Sequence, residues 1–402
     1  MENLANCITP VRKKITAKSD EPSKIMQGLI KSSDLPVSIS RQAASNPRNN
    51  LNLAPNSLRF DWMQTSVKLT LSIYSGPLTN PGVCVRLLED VLLVEVSSDG
   101  FLRTLKLVPE QPLRNPIQLR VFVESGKIEV CVQKSEQNVW SNCGDAICSE
   151  ATSVTSPRTL DCIVRSRGQV SHDTVILSLE PQSGAVTVPL GHHLRVHYKI
   201  NGMEHIRSYT PVGEGWDEVC QGPLRLAVKG YPSGEVSPHL TRLQPDDILK
   251  VSGPYGDFQL NKLKNVKIVN LIAAGTGITP MLSLLRFMLG RSNPRCEQVN
   301  LIFFNKKEID ILFRRHFDKI ALEDNRFLAT HVLSEPSPSW SGRIGRVSAI
   351  HLSDVLDKAL ECAADACTNF SCVCGPSEFT HLTLELLIKL GVKDDCVHAF
   401  MG

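Results

Sequence analysis

Hydrophobic and polar residues alternate with period two through 67–73, 102–107 and 128–132, and Gly, Pro and Asn separate these runs. Successive side chains of a strand point to opposite faces, so the pattern predicts half-buried strands of a small antiparallel domain that ends near Trp140. A second β-rich region runs from about 160 to 260, with apolar runs at 175–179, 194–198, 224–229 and 248–251 and a short helical stretch at 238–243. After 266 the texture changes. Apolar runs at 266–273, 299–304, 327–333 and 371–374 predict strands, and they alternate with helical patterns at 280–290, 310–320, 348–360 and 380–390. Strands separated by helices imply right-handed crossovers and a parallel sheet. Residues 1–57 mix Ser, Asn, Lys, Pro and Arg with scattered aliphatics, too little apolar surface to offset chain entropy, and predict a disordered tail. The expected organisation is that tail, an all-β domain at 58–144, a Ser-, Thr- and Cys-rich linker at 145–157, a β-rich domain at 158–263 and an α/β domain at 264–402.

Composition narrows the range of partners. A chain of 402 residues exceeds one ordinary core. Its 44 basic and 41 acidic side chains give a net charge of +3, which supplies no electrostatic case for nucleic acid. No apolar stretch reaches the roughly 18 to 20 residues a membrane helix needs, and no apolar leader follows Met1, so a cytoplasmic protein without a membrane span is expected. The 13 cysteines show no paired zinc spacing; no metal site is expected, and reduced thiols are.

The chemistry concentrates in a few loops. Ala273-Ala274-Gly275-Thr276-Gly277-Ile278-Thr279-Pro280 joins an apolar strand to an apolar helix. Its glycines let backbone amides approach a pyrophosphate, Thr276 and Thr279 offer hydroxyls, and Pro280 suits a first helical turn whose end carries partial positive charge. The GxGxxG fingerprint is absent, so context must carry the reading. That context is Cys372-Val373-Cys374-Gly375-Pro376, a second apolar run ending in a small-residue turn, because ligands of open α/β sheets lie beyond the carboxyl ends of strands. Upstream, Arg207-Ser208-Tyr209-Thr210-Pro211 combines a cation, an aromatic face and a hydroxyl, the groups a flavin needs for its diphosphate, ring and reactive nitrogen. Lys229-Gly230-Tyr231 adds a second cation and aromatic, and Gly234-Glu235-Val236-Ser237 offers backbone and hydroxyl donors before Pro238.

With these motifs and Gly253-Pro254-Tyr255-Gly256 in order, residues 160–402 resemble the FAD and nicotinamide domains of the ferredoxin-reductase superfamily, most of all the NADH-cytochrome b5 reductases. The first all-β segment is similar to a CS domain, the cochaperone-like sandwich, through Asp61-Trp62-Met63-Gln64-Thr65, Gly126-Lys127-Ile128-Glu129-Val130 and Trp140. The resemblance implies a CS-like sandwich, a β-barrel FAD-binding domain and a Rossmann-like NAD(P)-binding domain. It implies an enzyme that takes hydride from NAD(P)H onto FAD and passes single electrons to a haem acceptor such as cytochrome b5. In that scheme Arg207 and Ser237 hold FAD phosphates, with Gly234 and Val236 in the same phosphate-facing stretch; Tyr209 and Thr210 meet the ring and its N5, with Ser208 between Arg207 and Tyr209 also on the cofactor; and Lys229 and Tyr231 hold further parts of the cofactor. Gly275, Thr276, Gly277, Thr279 and Pro280 face the nucleotide. Cys374 lies against the nicotinamide beside Gly375 and Pro376, Thr210 and Cys374 being the catalytic pair, and Phe400 corresponds to a terminal aromatic that covers the flavin.

The chain also departs from its models. Fusion reductases of this arrangement carry a haem domain whose iron is held by two histidines, one in an HPGG motif. No histidine precedes His172 and HPGG is absent, so no haem is expected within the chain, which is then a shortened form or uses a separate haem partner. His192 and His193 are adjacent on a strand and point to opposite faces, which disqualifies them as a ligand pair. Where NADH-specific relatives place an aspartate after the apolar strand, Leu333 is followed by Ser334. Losing that carboxylate removes repulsion of a 2′-phosphate, and Arg346 supplies a cation, so NADPH is expected beside NADH. A diaphorase or a flavin or quinone reductase is the same-class alternative. A CS-type interaction scaffold with a non-catalytic reductase half is the other, and a protein partner for the CS-like domain rests on analogy alone. Peripheral placement at the endoplasmic reticulum is implied by the resemblance only.

Overall fold

The structure is a computed structural model that describes residues 58–153, 158–213, 216, 224–290, 296–360 and 368–401; the tail expected at 1–57 and the end of the linker, 154–157, lie outside the described residues. The first domain is a sandwich. One antiparallel sheet orders Arg59–Gln64, Lys68–Tyr74, Lys127–Lys134 and Leu113–Phe122 side by side. Gly82–Leu88, Val91–Ser98, Phe101–Val108 and Asp145–Cys148 run side by side in the second. Ile128, Val130 and Val132 alternate inward as their spacing predicted and meet Leu71, Val94 and Val96 in the core. Burying such a side chain contributes roughly 1.5–3 kcal/mol each.

The segment read as a linker at 145–157 is structured in its first part. Asp145–Cys148 pairs antiparallel with Phe101–Val108, and Thr152–Ser153 pairs with the start of that same strand. Its polar composition resembles loop, yet Ala146 and Cys148 fall on one face and pack on the sandwich core. Two core-facing positions are too few for periodicity to register.

The second domain continues this sheet. Ala185–Thr187 adds antiparallel to the edge strand Gly82–Leu88, pairing Ala185 with Val85 and Thr187 with Val83. Beside it, Asn80 behaves like one more strand residue: its Oδ1 accepts the Leu190 N–H at 2.8 Å and its Nδ2 donates to the Leu190 carbonyl at 2.9 Å. Glu95 is ion-paired with Arg86 at 3.1 Å and also with Arg158 across the junction. Asn80→Ala is expected to destabilise the protein by about 2 kcal/mol, since it leaves the Leu190 amide and carbonyl unpaired. It also forces alanine into a left-handed backbone, φ 49°. Urea or thermal unfolding measures it, and a wild-type midpoint would show that the junction does not depend on Asn80.

The rest of the second domain is a barrel. Its antiparallel strands follow the order Met203–Tyr209, His193–Ile200, Ile248–Tyr255, Arg158–Gln169, Thr174–Pro181 and Leu224–Lys229. A bridge between Pro211 and Leu226 and the Val212 N–H to Arg225 carbonyl bond of 2.7 Å join the first of these to the last. That seam brings the Arg207–Pro211 motif beside the strand that ends at Lys229. Val164, Leu177, Val196, Leu226 and Val251 fill the interior.

The third domain is a parallel sheet in the order Arg343–Ile344, Phe327–Leu333, Gln298–Asn305, Ile268–Ala274, Asn369–Cys374 and Val397–Ala399. Helices Ile278–Leu289, Arg314–Glu323, Ala349–Leu360 and Ser377–Lys389 make the crossovers. Leu78 and Val123 of the sandwich and Leu190 of the barrel pack on the cluster that holds Met281 and Leu285 of the first of these helices. Eight of the described cysteines are free thiols, whereas Cys396 is disulfide-bonded, contrary to the expectation of reduced thiols throughout.

Candidate active site

From Ile268–Ala274 the chain moves to Gln298–Asn305 on one side, and it later returns to Asn369–Cys374 on the other. Crossovers that diverge in this way open a crevice beyond the carboxyl ends of the two central strands. Ala273 and Cys374 are in register there. Gly275 adopts φ 55°, and a Cβ added to it would meet nothing within 4 Å, so the loop keeps open space where a phosphate can approach. Gly277 is the opposite case. A Cβ there would lie 2.5 Å from the carbonyl carbon of Cys374 and 2.7 Å from the amide nitrogen of Gly375. The two loops expected to share a ligand are therefore in backbone contact.

The other residues of the crevice divide by what occupies them. The Thr279 hydroxyl donates to the Thr276 carbonyl at 3.1 Å and shapes the loop, while Pro280 is buried in the first turn of Ile278–Leu289. Burial pushes the Cys374 thiol up to about 12, so it stays protonated at neutral pH. A Cβ on Gly375 would meet the Phe379 ring at 2.5 Å, and the Pro376 carbonyl accepts the Thr380 N–H at 2.9 Å at the start of the following helix. Phe400 donates its N–H to the Val373 carbonyl at 2.9 Å, and its ring lies 4.7 Å from His398 and 5.4 Å from Phe258.

On the barrel, burial pushes the Tyr209 phenol up to about 12, so it too is neutral. Ser208 and Thr210 flank it, half-buried. The Tyr231 side chain is exposed, and its N–H donates to Ser237 Oγ at 3.0 Å while Gly234 N–H donates to the Tyr231 carbonyl at 2.8 Å. Gly234 allows this turn, because a Cβ would lie 2.8 Å from Ser237 Oγ. The Val236 side chain packs into the barrel core, leaving only its backbone for a ligand.

Both cations read as free for a cofactor have protein partners. Arg207 Nη2 donates to Glu235 Oε2 at 3.2 Å, an oxygen that His205 Nδ1 also approaches at 3.2 Å. Lys229 Nζ lies 3.0 Å from Asp173 and 3.7 Å from Asp310 of the third domain. Partial burial raises the Asp173 carboxyl, but bonds from Lys229, Ser171 and Thr174 outweigh it and hold the group below its ordinary range. Asp173, Asp310 and His205 escaped the sequence reading because nothing local marks them. Glu235 was visible, an acid inside a segment read for phosphate.

At the far edge of the sheet, Ser334 donates its N–H to the Asn305 carbonyl at 3.1 Å. Gly345 N–H donates to the Leu333 carbonyl at 2.9 Å, so the exposed Arg346 follows the backbone that flanks Ser334. Asn305 is buried, and neither amide atom of its side chain has a hydrogen-bond partner among the described residues. Buried amides are ordinarily hydrogen-bonded, so this one stands out among the polar groups at the strand ends. The open space at Gly275 and the close Gly277 approach both fit a dinucleotide in the crevice. The closed Tyr231–Ser237 turn beside a neutral tyrosine fits FAD.

Comparisons with known proteins agree with that fit. Residues 161–260 match the oxidoreductase FAD-binding domain family, and residues 271–384 match the oxidoreductase NAD-binding domain family. Cytochrome b5 reductase 4 of Rattus norvegicus is 33% identical over 394 residues, covering 94% of this chain and 73% of that protein. Its Homo sapiens counterpart is 29% identical over 395 residues, covering 95% and 73%. Among solved structures, the CS-b5R domains of human Ncb5or in the NAD+ form are 30% identical and cover 86% of this chain and 99% of that one, with a TM-score of 0.66. The cytochrome b5 reductase domain of Ulva prolifera nitrate reductase is 25% identical and covers 60% and 97%, with a TM-score of 0.51. The sandwich is thus CS-like, the barrel binds FAD, and the parallel sheet binds NAD. The chain belongs to the cytochrome b5 reductase 4 family, a CS-like domain joined to an FAD- and NAD-binding oxidoreductase.

Proposed function

We propose that this chain carries electrons from NADH or NADPH, by way of FAD, to the haem iron of cytochrome b5 or a similar haem protein. The observation that carries the reading is the backbone contact of Gly277 with Cys374 and Gly375 at the switch point, beside a barrel whose seam presents Arg207, Tyr209 and Thr210. Bound FAD would supply the chemistry of accepting a hydride and returning its electrons singly. Arg207 and Ser237 hold the diphosphate, and Tyr209 and Thr210 meet the ring. Thr276 and the amides of Gly275 and Gly277 hold the nucleotide, and Thr279 and Pro280 set the shape of that loop. Cys374, flanked by Gly375 and Pro376, presents a small neutral thiol against the nicotinamide, and Phe400 shields the flavin from water. Lys229, tied to Asp173 and Asp310, holds the barrel against the nucleotide domain. Stopped-flow mixing of the reduced protein with cytochrome b5, with cytochrome c as control, tests the acceptor. Equal rates with both, or with a quinone alone, would favour the diaphorase reading.

Coenzyme choice belongs to Ser334 and Arg346. Ser334 rather than a carboxylate directly follows Leu333, with the exposed Glu335 next, and Arg346 follows the Gly345 to Leu333 backbone bond beside it. A charge-assisted bond is worth about 1.5–3 kcal/mol, so Arg346→Ala should lower kcat/KM for NADPH at least about tenfold and leave NADH within twofold. Equal loss with both coenzymes would refute this role. Docking of the haem partner on the CS-like domain, and peripheral association with the endoplasmic reticulum, belong to the same proposal and are supported by resemblance alone. Among the described residues no helix is long and apolar enough to cross a membrane.

A further inference from the structure

The arginine assigned to the FAD diphosphate already carries a carboxylate, and that carboxylate comes from the turn assigned to the same diphosphate. Glu235 sits between Gly234 and Ser237, and its Oε2 takes the Arg207 Nη2 bond at 3.2 Å. It is held from a second side by His205. The His205 Nε2 is buried with no hydrogen-bond partner among the described residues, so the ring proton is best placed on Nδ1, 3.2 Å from the same Glu235 oxygen. An exposed arginine–glutamate pair by itself contributes little. Here the geometry creates a competition instead. A diphosphate arriving at Arg207 must take its guanidinium from Glu235, and the carboxylate, kept nearby by His205, then faces the incoming negative charge.

We infer that Glu235 is a built-in competitor for Arg207, which makes this chain bind FAD less tightly than its cradle allows and exchange it more readily. The inference rests on the reading of Arg207 as the diphosphate cation. Glu235 and Arg207 are both well exposed, with side-chain exposures of 64% and 49%, so neither substitution should disturb the fold. Two unit charges a few ångströms apart near a protein surface interact strongly enough that removing one should change affinity about tenfold, and salt should shrink the difference.

The test is titration of the apoprotein with FAD and with riboflavin, which has no diphosphate, followed by quenching of flavin fluorescence. Glu235→Gln should lower the Kd for FAD about tenfold at low salt and less at high salt, and should leave riboflavin unchanged. Arg207→Ala should raise the Kd for FAD alone. If Arg207→Ala weakens FAD but Glu235→Gln fails to tighten it, or tightens riboflavin equally, the competitor role is wrong while the cation reading stands. If Arg207→Ala leaves FAD affinity unchanged, both fall.

Discussion

Gly277→Ala is expected to slow coenzyme oxidation about a hundredfold while the purified protein keeps its FAD. The backbone of Gly277 is helical, φ −61°, so alanine meets no conformational strain there and the effect is purely steric. The new methyl would lie 2.5 Å from the Cys374 carbonyl carbon and 2.7 Å from the Gly375 nitrogen. Both are backbone atoms at the end of a strand held in register with Ala273, so neither can rotate away. One loop must move by roughly an ångström, and a misplacement of that size at a hydride-transfer site can cost about a hundredfold in rate. Overpacking of this kind also destabilises by about 1–3 kcal/mol, so a lower melting temperature should accompany the loss. The measurement is steady-state kcat and KM for NADH with a dye acceptor, together with flavin content by absorbance. A kcat within threefold of wild type would mean that the contact does not set the transfer geometry.

Cys374→Ala should slow flavin bleaching by NADH about tenfold, with FAD content unchanged and no new pH dependence. Burial raises the thiol pKa to about 12, which favours the neutral form. At pH 8 only about one thiol in ten thousand is then ionised, and throughout pH 6–9 the side chain acts by shape rather than charge. With the nicotinamide placed as proposed, removing sulfur leaves room for the ring to sit out of line, and proximity is lost. Single-turnover bleaching across pH 6–9 checks both halves. Rate profiles of wild type and variant should run parallel; an inflection near neutrality present only in the wild type would mean that the thiol ionises during catalysis. Loss of flavin from the variant would instead assign Cys374 to the FAD pocket.

Much of this was legible along the chain. Period-two runs such as Ile128, Val130 and Val132 and the strand–helix alternation after 266 specify their elements locally, because each buries one face against a core that the pattern itself implies. In the loop after Ile268–Ala274 the positive φ of Gly275 is a local requirement, whereas Gly277 is required by the distant Cys374 backbone that only the fold brings to it. Asp145–Cys148 was not legible, since so short a strand exists only because Phe101–Val108 offers it an edge.

By itself the sequence determined the order of an all-β domain, an FAD-binding domain and an NAD-binding domain. Only the tertiary structure decided that Ala185–Thr187 extends a sheet of the preceding domain, that Lys229 is shared with Asp173 and Asp310, and that Arg207 is held by Glu235. The division has a physical cause. Hydrophobic period and backbone requirements act over a few residues and are written into them, whereas edge pairing and ion pairing depend on which groups the closed barrel and the parallel sheet bring within about 4 Å. A charged side chain has no partner until the fold supplies one.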